Sequence, residues 1–336
     1  MRIDEEHTYL CPETRLPLWL AIDEADGAGV IKGRLVSPNG KIYAISEGIP
    51  DLTYPPTLHK SDEGAKTFYN QRADTYDKYL HLTFETFWED ETATRNKMID
   101  TLQLQPHHRV LEVSAGTGRD SELIARRLDS RGKLYLQDIS PIMLERCVAR
   151  LKNVSVPVEF SLSNGCWLPF PDHHFDAVYH FGGLGEFSDI PRALAEFARV
   201  TKVGGRVVFG DESMPPWLRG TRFARIMSTT NPQFEAELPL RHIPVCAREV
   251  RVRWVIGGVF YLIDFVAGEG EPTGNFNYEI PGPRGGTHLT RVDGQLEGVR
   301  IETKALALQA MAKSGKSMHA WLDTVVREAA SKELGS

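Results

Sequence analysis

The chain has 336 residues, and at roughly 150 residues per domain its length sets an expectation of about two domains. Hydrophobic residues make up 41% and charged residues 25%, a globular balance that excludes a disordered chain. The formal net charge of -6 and a pI near 6.0 argue against a dedicated nucleic-acid binder, whose phosphate contacts demand an excess of Lys and Arg. No run approaches the ~18 apolar residues of a membrane span, and the acidic start MRIDEEHTYL does not read as a secretory leader. The four cysteines, Cys11, Cys147, Cys166 and Cys246, form no C-x-x-C pair. They point to reduced thiols and a cytoplasmic location.

In chain order, residues 1–58 are rich in Gly and Pro and end in the turn-prone Tyr54-Pro55-Pro56. Residues 59–268 alternate β-branched runs with amphipathic segments, the pattern of βα units. Arg109 to Val113 reads as a strand leading into Gly116-Thr117-Gly118, and RDSELIARRL then sets Leu123, Ile124 and Leu128 on one helical face. Lys133 to Gln137 is a second strand ending at Asp138, followed by a helix striped with Met143, Leu144, Cys147, Val148 and Leu151. Val156 to Leu162 and Phe175 to Tyr179 are further strands. A helix from about Ile190 to Thr201, a Gly204-Gly205 turn and a strand from Arg206 to Gly210 complete the series. The rhythm predicts an α/β fold, with a parallel sheet covered by helices on both faces. Residues 269–287 are too rich in Gly and Pro for regular structure and read as a linker, with Phe276 and Tyr278 available to dock it. Residues 288–336 carry two short helical patterns.

Ligands of such sheets bind at the carboxyl ends of the strands, where Gly turns expose backbone N–H groups. In VLEVSAGTGRD, Gly116 and Gly118 let a ligand approach the backbone. Asp138 can accept hydrogen bonds from two ribose hydroxyls. These residues resemble those of the class I S-adenosylmethionine-dependent methyltransferases (type 11), particularly the quinone C-methyltransferase-like group. The resemblance rests on five segments in order. Glu112 with Ser114, Ala115, Gly116, Thr117 and Gly118 is the first, Ser114 replacing the family's first glycine. LQDISPIML, SNGCWLPFPDHHFDAV, ALAEFARVTKVGGRVVF and VRVRWVIGGVFYLIDFVAG follow. It implies a Rossmann-like seven-stranded sheet with an antiparallel last hairpin and S-adenosylmethionine as cofactor. It also implies that Asp138 holds the ribose and that Ile139 and Met143 flank adenine. Asn164 stands where an Asp usually meets the adenine amine, and Ser140, Gly165, Cys166 and His180 complete the cofactor set. Tyr69 and Tyr76, in FYNQRADTYDKY, resemble a lid helix; their other reading is an aromatic packing stripe. A nicotinamide dehydrogenase is disfavoured, because Ser121 replaces the third glycine of G-x-G-x-x-G.

Methyl transfer needs in-line alignment and exclusion of water, with a general base where the acceptor carries a proton. The candidates are His180, Glu186, Asp211, Glu212 and His242. Asp211-Glu212 can instead cap the chain before Met214-Pro215-Pro216, and His180 can contribute backbone alone. Residues 215–248 form an insertion on the side that supplies the acceptor pocket in this family. Its Trp217, Phe223, Ile226, Met227 and Phe234 favour a small, largely apolar or aromatic acceptor. The alternatives are an RNA or tRNA base methyltransferase and, in another class, a DNA-binding regulator.

Residues 1–58 resemble a Trm112-like zinc ribbon that has lost its ligands: Cys11 remains, but Thr14 and Ser37 occupy ligand places. The expectation is a β-rich module without metal, held by Leu10, Leu18, Ile42, Tyr43, Ile45 and Ile49. At the other end, TRVDGQLEGVRI reads as a strand. Two helices follow, striped with Ala305, Leu308, Met311 and Ala312 and with Trp321, Leu322, Val325, Val326 and Ala329. This resembles a ribbon-helix-helix module and implies a homodimer through the C-terminal extension, or docking on the catalytic domain.

Overall fold

The computed structural model describes residues 1–5, 7–295 and 298–335, in two compact units, Met1–Glu271 and Pro272–Ser336. The first unit opens with a four-stranded antiparallel meander: β1 (Trp19–Asp26), β2 (Gly29–Val36), β3 (Ile42–Ser46) and β4 (Ile49–Pro50). Leu18, Tyr43 and Ile45 are buried as expected, and Leu10 and Ile49 are half-buried. Ile42 departs from the expectation: strand alternation turns it outward, and it is 62% exposed. The Cys11 thiol lies against the Tyr43 hydroxyl at 3.1 Å.

Three helices come next, α1 (Lys60–Tyr79), α2 (Leu82–Glu85) and α3 (Glu91–Asp100). Then strands and helices alternate: β5 (Arg109–Val113), α4 (Arg119–Ala125), β6 (Lys133–Asp138), α5 (Pro141–Leu151), β7 (Val158–Leu162), β8 (Phe175–Phe181), α6 (Ile190–Val200) and β9 (Thr201–Glu212). Local chemistry sets several boundaries. Ser140 caps α5 by accepting from the Met143 N–H at 3.1 Å, with Pro141 in the first turn. Met143, Leu144, Cys147 and Leu151 form its buried stripe. The Gly204-Gly205 turn falls inside β9, because the backbone is already extended at Thr201, where it pairs with Phe175.

After α7 (Arg222–Thr230), the antiparallel hairpin β10 (Ala247–Val255) and β11 (Phe260–Ala267) closes a seven-stranded sheet in the order β10-β11-β9-β8-β5-β6-β7. β5 to β9 are parallel, whereas β11 runs antiparallel to β9. This is the mixed α/β, Rossmann-like architecture of the sequence reading. The chain winds outward from β5 to β7 and then crosses to β8 on the other side of β5. The topological switch therefore falls between β5 and β8.

The meander covers the β7 edge: Asp51 bridges Leu162, and the Leu52 N–H donates to the Leu162 carbonyl at 2.8 Å. Tyr9, Cys11, Leu18, Leu35 and Leu52 share one apolar cluster with Tyr135 and Phe170 of the large sheet region. An edge that would otherwise expose unpaired backbone is thereby closed.

The second unit contains α8 (His288–Val292), α9 (Ile301–Ser314) and α10 (Met318–Leu334). The strand expected in TRVDGQLEGVRI is absent among the described residues; Leu296 and Glu297 lie outside them. Thr287 and Thr290 instead form a reciprocal capping box that starts a helix there. Among the described residues there is therefore no strand to serve as the ribbon of a ribbon-helix-helix module. Phe276 and Tyr278 are exposed, and neither α9 nor α10 has a buried residue.

Candidate functional site

A cavity of about 300 Å³ opens at the carboxyl ends of β5, β6 and β8, at the topological switch. Its floor is the turn after β5. Gly116 adopts a left-handed φ of 56° there, and a Cβ added to it would meet no atom within 4 Å, so the position is open to the cavity. Gly118, with φ 81°, has a different task. An added Cβ would lie 2.7 Å from the Cys147 sulfur, so this glycine lets α4 and α5 pack together, and it does not line the cavity. Gln137 holds the turn in place: its side-chain oxygen accepts from the Ser114 N–H at 3.1 Å and its backbone oxygen from Ala115 at 2.9 Å.

Asp138, at the end of β6, faces this turn. Its two oxygens accept from the Gly116 and Ser140 N–H groups, each at 2.8 Å, and burial pushes its carboxyl up to about 6 despite those bonds. Glu112 lies deeper and accepts from the Ser121 hydroxyl at 2.6 Å. Burial, reinforced by Asp120, raises its carboxyl well above the usual range. Ser121, which broke the dinucleotide pattern, is thus the partner of the buried acid. Arg95 pairs with Asp120 at 2.9 Å along the same wall.

Helix α1 covers the cavity with Tyr69, Arg72 and Tyr76. Its polar side chains are tied to the elements below. Asp62, 5% exposed, accepts from Asn164 Nδ2 at 3.1 Å, the Ser188 N–H at 2.9 Å and the Ser188 hydroxyl at 2.7 Å. Asn70 accepts from the Ser140 hydroxyl at 2.7 Å. Asp77 accepts from the Thr117 hydroxyl at 2.7 Å and from Arg119 Nε at 2.8 Å. Sequence reasoning missed these three, although a signal existed. Positions 62, 69 and 76, and 70 and 77, recur at seven-residue spacing and so share one helix face.

The far end of the cavity is walled by Phe181, Ile256 and Phe260, with Glu186 and Glu212 among the lining. Asp211 is buried just behind, accepting from the Gly183 N–H at 2.9 Å and the Gly185 N–H at 2.6 Å, so it shapes the loop after β8 and does not merely cap a turn. Burial and the neighbouring Asp211 push the Glu212 carboxyl up to about 9; burial also raises Glu186.

The structure thus gathers Tyr69, Tyr76, Glu112, Ser114, Ala115, Gly116, Thr117, Asp138, Ile139, Met143, Asn164, Gly165, Glu186 and Glu212 around one cavity. It places the other candidates elsewhere. His180 is a buried residue of β8, not a loop residue: its Nδ1 lies 3.0 Å from the Val113 carbonyl, and its ring packs on Phe187 and Phe197. Burial lowers its pKa, favouring the neutral ring. His242 sits in the Leu240–His242 turn beside α6, outside the lining. Ser140 caps α5, and the Cys166 sulfur turns to the Asp189 carbonyl at 3.4 Å. The Asn164 side-chain oxygen already accepts from the Cys166 N–H at 3.0 Å. In the insertion, Phe234 is buried and Phe223 and Met227 pack against the core, while Trp217 and Ile226 are exposed, and none of the five lines the cavity. Among the described residues, no group of three His, Cys, Asp or Glu side chains is placed to hold a metal ion, and no helix is long and apolar enough to cross a membrane.

Comparison with known proteins supplies the family. Residues 59–222 match the ubiE/COQ5 methyltransferase family. The demethylmenaquinone methyltransferase of Symbiobacterium thermophilum is 30% identical over 165 residues, 48% of this chain and 64% of that protein. The ubiquinone/menaquinone biosynthesis C-methyltransferase UbiE of Shewanella frigidimarina is 30% identical over 180 residues, 51% of this chain and 69% of that one. Across such curated relatives the chain spans 43% to 69% of their length. Among solved structures, a SAM-dependent methyltransferase from Aquifex aeolicus aligns at 19% identity over 52% of this chain and 89% of that one, with a TM-score of 0.39. On the sequence match to the Shewanella protein and the family's own pattern, the chain belongs to the ubiE/COQ5 methyltransferase family.

Proposed function

We propose that this chain transfers a methyl group from S-adenosylmethionine to a small aromatic acceptor of the hydroquinone kind. One observation carries the reading: a single cavity joins Asp138 and the open Gly116 turn at one end to an apolar wall with two acids at the other. The first end has the donors and acceptors that a nucleoside needs, since each Asp138 oxygen accepts one backbone N–H and keeps a lone pair for a ribose hydroxyl. Ile139 and Met143 offer apolar flanks for a base. Asn164, whose oxygen serves Cys166, and Asp62 beside it are further polar groups of the lining.

The bound cofactor supplies an electrophilic methyl carbon. The chain's own work is to orient both partners and keep water out. Helix α1 does the second by lying across the cavity, fastened through Asp62, Asn70 and Asp77. The relatives' names, which refer to demethylmenaquinone, ubiquinone and menaquinone, favour carbon as the acceptor atom. The net charge of -6 weighs against RNA or DNA as acceptor.

We place the protein in the cytoplasm, where its four free thiols stay reduced, and propose that α9 and α10 pair with a second copy. Sedimentation across a concentration series should show dimers. The activity is tested with methyl-labelled S-adenosylmethionine and a hydroquinone, an RNA and a DNA offered in parallel. Label should enter the hydroquinone; label in a nucleic acid alone would overturn the reading.

A further inference from the structure

The acceptor end of the cavity gathers three acids. Glu186 and Glu212 line it, and Asp211 lies directly behind Glu212. The charged groups acting most strongly on Glu212 are acids, Asp211 on its own strand and Glu186 from the loop after β8, while Arg72 of α1 and Arg95 of α3 line the same cavity. Tyr69 and Tyr76 line the same cavity from α1, and Phe260 of β11 pairs with Glu212 across the sheet. Raised carboxyls of this kind suit a neutral acceptor with a proton to give. The two acids are not equivalent in their bonding. Both Asp211 oxygens already accept backbone N–H groups, whereas the Glu212 carboxyl is the one raised, by burial and by Asp211 beside it.

We propose that Glu212 takes the hydroxyl proton of a hydroxyarene acceptor, and that Glu186 takes the proton released from the methylated ring carbon. This rests on the methyl-transfer reading above and assigns its proton path. Glu212, pushed up to about 9, comes close to a phenol at about 10, so transfer between them is nearly balanced in energy. In the step, ionised Glu212 accepts the hydroxyl proton and the oxygen's electron pair enters the ring. The ortho carbon forms the bond to the donated methyl, while the carbon–sulfur pair stays on sulfur. Glu186 then removes the proton from that carbon, which restores the aromatic ring, and Glu212 returns its proton to the oxygen. One ring hydrogen is replaced by methyl and one proton leaves to water through Glu186.

The test combines three measurements on the full chain. First, a carbon-13 titration of the Glu carboxyls without cofactor should show one group titrating near pH 9 that disappears in Glu212→Gln. Second, with S-adenosylmethionine saturating, methyl transfer to methylhydroquinone should rise toward pH 9. Glu212→Gln should lose about 100-fold or more of that rate together with its pH dependence. Glu212→Asp should keep part of both, and the dimethyl ether of the same hydroquinone should not react. Third, S-adenosylhomocysteine should bind Glu212→Gln within about twofold of the parent, which shows that the variant is folded. A titration without a group near pH 9, or a Glu212→Gln rate and pH profile like the parent's, overturns the proposal. A parent that binds no S-adenosylhomocysteine overturns the methyl-transfer reading and the proposal with it, a pattern distinct from the first.

Discussion

Gly116 and Gly118 stand two residues apart in one motif and do unrelated work. At Gly118 a methyl group would meet the Cys147 sulfur at 2.7 Å on a backbone with φ 81°, so Gly118→Ala combines strain with overpacking. The expected loss is roughly 2–4 kcal/mol of folding stability, read from chemical denaturation. At Gly116 the methyl group would enter the open cavity, so Gly116→Ala should weaken S-adenosylhomocysteine binding while costing only the backbone strain, about 1–2 kcal/mol. Equal effects of the two substitutions on stability would refute this division. The motif was legible in the sequence; the division was not, because it depends on α5, whose Cys147 packs beneath Gly118. The same holds for His180. Its place after a strand suggested a catalytic loop, but β8 runs on to Phe181 and takes the ring into the core.

At the scale of elements, α1 is the part that sequence reasoning understood least. Tyr69 and Tyr76 marked it as a cover, yet its attachment runs through Asp62, Asn70 and Asp77, whose partners lie as far as 126 residues away. Asp62→Ala would leave Asn164 Nδ2 and the Ser188 N–H and hydroxyl without their acceptor, at a cost of about 1–3 kcal/mol. Its N-terminal turns should loosen first. Hydrogen exchange should therefore quicken over residues 60–70 more than in the sheet, and cofactor affinity should fall. Unchanged exchange in α1 would contradict the fastening role. The parallel strands, by contrast, were readable within a few residues from their continuous apolar runs, as expected for a sheet buried on both faces. The expected C-terminal strand failed because the alternation in TRVDGQLEGVRI competes with the Thr287–Thr290 capping box, and local hydrogen bonding starts a helix.

Over the whole molecule, the boundary between the two compact units falls at Glu271–Pro272, and every residue lining the cavity belongs to the first. A chain ending at residue 271 should therefore fold cooperatively and bind S-adenosylhomocysteine as the full chain does, while losing any dimer formed through α9 and α10. Weakened binding in that truncation would show that the second unit takes part in the site. The meander of residues 19–50 is instead part of the first unit, sharing its apolar cluster and closing the β7 edge. Composition alone suggested a separable appendage, because shared burial between distant segments leaves no mark on either segment.

The claim on which the rest depends is that the cavity holds the cofactor through Asp138, and calorimetry with S-adenosylhomocysteine tests it most directly. Asp138 is raised to about 6 in the folded protein, above its usual 3.8, so folding favours its protonated form. The stability this contributes is fully present below about 3.8 and is lost as the pH rises through 6. Ribose hydroxyls, however, need the ionised carboxylate as acceptor, so binding should strengthen as pH rises through 6. The account predicts one bound molecule per chain, affinity that falls below pH 6, and a loss of about 10- to 100-fold in Asp138→Ala. Binding of equal strength in Asp138→Ala, or no binding by the parent at pH 7, would contradict it.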